Sequence, residues 1–189
     1  MLNIRERLDK ILGIIEAPNF LENKGLGNEI GFYIFDYDPK DELLVRDHVR
    51  YLKKVLNNDT SNRKVIEFDL YDILLEFLRR EGVLDSLPLL EEEEGTGYLL
   101  EALRDVASPE VYVEYIQSIE ENYQVVFITG VGKVWPVVRS HNILNNLHHV
   151  LDQVPVIMFF PGSYDGAELR LFNRMKDDNY YRAFRLVEK

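Results

Sequence analysis

Seven consecutive apolar residues, Val154-Pro155-Val156-Ile157-Met158-Phe159-Phe160, leave no polar alternation for a solvated face. A strand of this kind needs cover on both sides, which places it in the middle of a parallel sheet. The rest of the chain must then supply flanking strands and the helices that connect them.

The pattern along the chain meets that requirement. Leu8, Ile11, Leu12 and Ile15 recur at helical spacing and predict an amphipathic first helix. Gly31 to Asp36 read as an aromatic strand, and Asp38-Pro39 offer an N-cap and a proline for the first helical position of a helix reaching Leu56. A second strand is predicted at Lys64 to Phe68, with Asp69 as the cap of a helix over Leu70 to Glu81 that Gly82 terminates. Leu84 to Gly97 hold Pro88, two glycines and the run Glu91-Glu92-Glu93-Glu94, and are expected to form a mobile surface connection. Two helices follow, from Tyr98 to Val106 and from Pro109 to Glu121, then a strand over Gln124 to Thr129. A helix is predicted over Val137 to Leu151. The second central strand ends at Pro161-Gly162, and a last strand runs from Tyr181 to Val187. The expected fold is a single α/β domain over 1–189: a mainly parallel sheet of about five strands with helices on both faces, three-layered and Rossmann-like or P-loop-like.

Charge narrows the partners. The net charge of −11 argues against direct binding to a phosphate backbone, which is held mainly by lysine and arginine. The balance is uneven: residues 1–129 carry 14 basic and 27 acidic side chains, residues 130–189 carry 8 and 6. An anionic ligand would therefore be held in the C-terminal third. The chain has no cysteine, which excludes disulfides, thiolate metal sites and thiol nucleophiles and suits a reducing compartment. No apolar run approaches the ~20 residues of a membrane span. A cytoplasmic protein without membrane contact is expected.

Ligands of an open parallel sheet bind beyond the carboxyl ends of its strands. Thr129, Gly130, Gly132 and Lys133 stand there and are the candidates for holding phosphate, with backbone N–H groups beside an ammonium. The match to G-x-x-x-x-G-K-[ST] fails twice, since Phe127 replaces the first glycine and Val134 the hydroxyl. The plainer reading is a tight turn with a solvated lysine. Asp36 and Asp38, two apart at a strand end, are the candidate Mg²⁺ ligands. Against this, Asp38 suits a helix cap, and Asp36 would face solvent or a backbone turn. Neighbouring His148 and His149 point about 100° apart on a helix and do not suit one metal. No nucleophile stands with a base at telling spacing, and Ser163 reads as a loop serine. No catalytic residue is assigned, and the chain is read as more in keeping with a non-enzyme.

Other residues suggest contacts. Arg139, Ser140 and His141 put a cation in the first turn of a helix, which is unfavourable without an anion nearby. Trp135 precedes them as a packing or contact residue. Tyr180, Tyr181 and Arg182 begin a tail that alternates aromatic and basic side chains. Such composition marks protein interfaces. Trp135, Arg139, His141, Tyr180, Tyr181 and Arg182 are the partner-contact candidates.

Several blocks together resemble one family. They are Phe35-Asp36-Tyr37-Asp38-Pro39, Ile128 to Pro136 with Arg139-Ser140-His141, Phe159 to Gly166 with Leu169-Arg170-Leu171-Phe172, and Asp178 to Phe184. In this order they resemble the BrxB family, small components of bacterial BREX anti-phage defence systems. The resemblance implies action beside a phosphatase-fold protein, PglZ, a large ATPase, BrxC, and a DNA methyltransferase. It carries no catalytic residues and no cofactor with it. It implies an accessory or adaptor component that docks on a PglZ-like or BrxC-like partner. The alternative from the residues is a nucleotide-binding or phosphoryl-handling protein that uses Gly130 to Lys133, with nucleotide and Mg²⁺ as ligands.

Overall fold

The computed structural model describes residues 2–21, 31–58, 61, 63–147, 150–151, 154–176 and 183–189. The chain forms two compact units, each assembled from separated stretches. One comprises Met1–Glu67, Glu121–Thr129 and Leu151–Lys189, the other Phe68–Glu120 and Gly130–Val150.

In chain order the elements are α1 (Ile4–Glu16), β1 (Phe32–Tyr37), α2 (Glu42–Leu56), β2 (Val65–Asp69), α3 (Leu70–Arg80), α4 (Leu87–Glu94), α5 (Thr96–Val106) and α6 (Pro109–Gln117). There follow β3 (Val125–Thr129), α7 (Val131–Val134), α8 (Ser140–Leu147), β4 (Val156–Tyr164), β5 (Leu169–Leu171), β6 (Met175–Lys176) and β7 (Phe184–Arg185). Among the described residues no helix is long and apolar enough to cross a membrane.

The first unit holds the sheet, ordered β2-β3-β4-β1-β7. The pairs β1–β4, β3–β4 and β1–β7 are parallel, so the α/β class with a mainly parallel sheet is as the sequence predicts. The apolar run is indeed the middle strand, with Phe35 in register with Phe159 on one side and Phe127 with Ile157 on the other. Helix α1 starts from a capping box in which the Asn3 side chain accepts from Glu6 N–H and the Glu6 carboxylate accepts from Asn3 N–H. Its Leu8, Ile11 and Ile15 join Val45, Val49, Leu52 and Leu56 of α2 in one core with Phe35, Phe127 and Phe159. The Phe127 and Phe159 rings meet edge to face, 5.3 Å between centroids. Strand residues of the opposite parity, Ile34, Val126, Ile128 and Met158, are also buried.

Strand β4 departs from expectation at its end. It does not stop at Pro161-Gly162 but runs on to Tyr164 and pairs antiparallel with β5, so Ser163 is a strand residue opposite Arg170. Glycine at 162 makes this possible: a Cβ there would lie 2.1 Å from the Arg170 carbonyl oxygen. The stretch after it forms the β5–β6 hairpin. The last strand is shorter than predicted, Phe184–Arg185, and Tyr180, Tyr181 and Arg182 lie outside the described residues.

The second unit is helical. Asp69 caps α3 as expected, accepting from the N–H groups of Tyr71 and Asp72. Gly82 ends α3 with φ of 71°, and the Val83 N–H reaches back to the Leu78 carbonyl. Ser108 occupies the N-cap position of α6, but its side chain makes no cap bond. The expected mobile connection at Leu84 to Gly97 is instead a short 3₁₀ turn, Leu84–Ser86, followed by α4. Glutamate is a good helix former and Pro88 falls in the first turn, where its missing N–H is harmless, so this stretch contains no breaker before Gly95. The predicted helix over Val137 to Leu151 is also corrected. Trp135, restricted by the proline that follows, is extended at ψ of 139° and ends α7. Helix α8 begins only at Ser140, so Arg139 precedes it.

Candidate functional site

The residues chosen from the sequence fall into separate environments. Thr129 ends β3, and its hydroxyl donates to Glu67 Oε1 at 2.7 Å, while Lys53 Nζ holds Glu67 Oε2 at 2.6 Å. Within the first unit these three side chains form one line of charge-assisted bonds.

Gly130 opens the second unit's loop with φ of 74°, in the left-handed region. A Cβ at this position would stand 2.1 Å from Asp69 Oδ1, so glycine is demanded both by the backbone and by the carboxylate beside it. The Gly130 carbonyl accepts from the N–H groups of Lys133 and Val134, each at 3.0 Å. Gly132 lies inside the four-residue α7. Lys133 Nζ is ion-paired with Asp69 Oδ2, lies 3.8 Å from Asp72 Oδ1, and sits over the Tyr71 ring at 5.6 Å. One carboxylate thus serves two ends: Asp69 Oδ1 caps α3 and Oδ2 neutralises Lys133. An anion at Gly130 to Lys133 would have to displace that carboxylate.

Asp36 and Asp38 are not brought together. Asp36 does not face solvent or a turn as expected; it is fully buried at the end of β1. Its Oδ1 pairs with Arg7 Nη2 at 2.9 Å, and its Oδ2 accepts from Tyr164 N–H at 3.0 Å and from Lys189 Nζ at 2.8 Å. Burial alone would raise the Asp36 pKa. The Lys189 and Tyr164 hydrogen bonds and the charges of Lys189 and Arg7 outweigh it, and the carboxyl titrates below the ordinary aspartate range. Asp38 is half exposed, accepts from Lys40 N–H at 3.1 Å and pairs with the Lys40 ammonium. Among the described residues no group of three or more histidines and carboxylates is placed to hold a metal ion.

Of the contact candidates, Trp135 is 39% exposed and Arg139 is exposed beside it. The Trp135–Pro136 peptide bond is cis, and the Pro136 carbonyl accepts from Arg104 Nε of α5 at 3.2 Å. His141 lies in the first turn of α8. Sequence reasoning missed Arg7, which is buried and bridges Asp36 to the Val187 carbonyl. The signal was present: Arg7 shares the stripe of Ile11 and Ile15 at i, i+4, i+8, an apolar face where a cation needs a partner.

Comparison with known proteins gives one family. The sequence model of the family described as "BREX protein BrxB" matches residues 66–186. A protein called BREX protein BrxB from Bacillus cereus (strain H3081.97) is 53% identical over 193 residues, covering all of both chains. Another of the same name from Escherichia coli O9:H4 (strain HS) is 36% identical over 183 residues, 96% of this chain and 90% of that one. No solved structure matches.

Proposed function

The chain belongs to the BrxB family of BREX system components, and from that premise we propose that it is a non-enzymatic adaptor of a phage-defence complex, docking on a PglZ-like phosphatase-fold protein or a BrxC-like ATPase. The observation that carries this reading is the Lys133–Asp69 ion pair. The one lysine of the glycine loop is satisfied by a carboxylate of its own unit, so the loop is closed on itself and acts as a structural corner. Exposed Trp135 and Arg139 stand at that corner. Aromatic and arginine side chains are the types enriched where proteins bind each other. With His141 and the tail residues Tyr180, Tyr181 and Arg182 they form the proposed partner contacts, and the protein works in the cytoplasm with its BREX neighbours.

The test is pairwise co-purification of the tagged chain with its neighbouring PglZ and BrxC homologues, followed by sizing of any complex. A stable pair is expected, weakened by Arg139→Glu and Arg182→Glu without loss of fold. Normal binding by both variants would remove the assigned contacts. A thermal-shift titration with nucleotide and Mg²⁺ separates the competing nucleotide reading. A ligand at 100 times its Kd would add about 2.7 kcal/mol of stability, and no shift is expected.

A further inference from the structure

Exposed apolar side chains are concentrated in the helical unit. Of the eight large hydrophobic residues that are exposed among the described residues, Val83, Leu89, Tyr98, Val106 and Trp135 belong to it. Three of these, Leu89, Tyr98 and Val106, lie on α4 and α5, where Leu89 is 56% and Tyr98 54% exposed. The two helices are joined by Gly95 alone, and neither has a single fully buried residue. Large apolar side chains left open on two adjoining helices are candidates for an interaction site.

Charge identifies the occupant. From Glu81 to Val106 the chain carries eight acidic side chains and one basic, Arg104. That arginine is directed to the Pro136 carbonyl, which ties α5 to the turn bearing Trp135. A second copy of this chain would bring the same acidic surface against itself, and like charges placed together oppose association. We propose that α4 and α5 form the docking surface for a basic amphipathic helix of the partner protein. Its apolar stripe covers Leu89, and its lysines and arginines meet Glu92 and Glu93, which share the Leu89 face of α4 at i+3 and i+4. This rests on the adaptor reading and adds to the contacts at Trp135 and Arg139 a second, acidic surface that takes a basic segment of the partner.

Two variants test it: L89S/Y98S, which removes apolar cover at exposed positions, and E91Q/E92Q/E93Q/E94Q, which removes charge while keeping helix formers. Thermal melts establish that both remain folded. Binding is measured against the co-purifying BREX partner and, independently, against an amphipathic leucine–lysine helical peptide, with a leucine–glutamate peptide as control. The expected result is at least about a tenfold loss of affinity for L89S/Y98S, which corresponds to about 1.4 kcal/mol. The glutamine variant is expected to lose most of the salt dependence. Wild-type affinity of both variants for the partner would overturn the docking surface and leave the adaptor reading standing. Absence of any BREX partner would overturn the adaptor reading, and equal binding of both peptides would then overturn this surface separately. A dimer of the wild-type chain that L89S/Y98S dissociates would show the occupant to be a second copy and refute the basic partner.

Discussion

Arg7 Nη2 lies 2.9 Å from Asp36 Oδ1 with both side chains withdrawn from solvent, so α1 and the end of β1 are joined by a buried ion pair. The guanidinium also donates to the Asp36 and Val187 carbonyls and stands over the Phe35 ring at 4.7 Å. Removing one member of a buried pair costs about 3–5 kcal/mol, because the other is left charged in a dry site. Arg7→Met is expected near the lower end, since Lys189 still faces Asp36. Urea unfolding of R7M, D36L and the double variant provides the cycle. The double variant should recover part of the loss, and additive losses would show that the two groups do not act as a pair.

Gly130 and Asp69 are locked by shape as well as charge. Gly130→Ala forces a Cβ into the Asp69 carboxylate and a side chain into the left-handed region, so a loss of about 1–3 kcal/mol is expected. Asp69→Asn should be milder, within about 1 kcal/mol, because asparagine caps a helix as well as aspartate does and the Lys133 pair is partly solvated. Asp69→Ala, which loses the cap too, should cost about 1 kcal/mol more. Denaturation midpoints in that order would support the double role of Asp69; equal midpoints for the asparagine and alanine variants would exclude the cap as a contributor.

Two further glycines give opposite forecasts. Gly13 lies inside α1 with open space around its α-carbon, so Gly13→Ala should stabilise by roughly 0.5–1 kcal/mol. Gly162→Ala would press a methyl group against the Arg170 backbone and should destabilise the β4–β5 pairing. Hydrogen exchange of the Tyr164 and Phe172 amides would read this locally. Unchanged protection in G162A would mean that the hairpin can move aside.

Acid should weaken the fold in two steps. His48 is held below the ordinary histidine value of 6.5 chiefly by burial, against the opposing charge of Asp9 and a bond to the Leu8 backbone. The unfolded chain therefore takes the proton more readily. The contribution of neutral His48 is complete above the unfolded value and is lost as pH falls through the folded one. Asp36, also depressed, contributes above the ordinary aspartate value and loses that contribution at lower pH still. Stability measured against pH should fall first near the histidine range, and His48→Gln should remove that first decline only.

Periodicity exposed the sheet because burial on both sides leaves no polar residue in the middle strand, and the caps at Asp38 and Asp69 were legible because their chemistry is local. What could not be read was set by distant partners. Nothing near Gly162 in sequence announces Arg170 as its neighbour, so the extension of β4 was missed. Likewise Lys133 finds its counterion 64 residues away, and a lysine after two glycines looks identical whether it waits for phosphate or is already paired. The glutamate run of α4 resembles a solvated loop in composition, yet glutamate favours a helix and Pro88 falls where a helix tolerates it.

Strand β4 stands between β1 and β3, yet it follows both in the chain. On a ribosome, β1 emerges more than a hundred residues before the strand that will separate it from β3. Until Val156 to Tyr164 have been made, those two strands have no common neighbour, and their unpaired edges are open to other chains. Sheet formation must wait for the last part of synthesis, a long-range closure of the kind that folds slowly. A nascent chain truncated before Val156 is therefore expected to be held by chaperones or to aggregate, whereas one reaching Tyr164 has every strand needed to join β1 to β3.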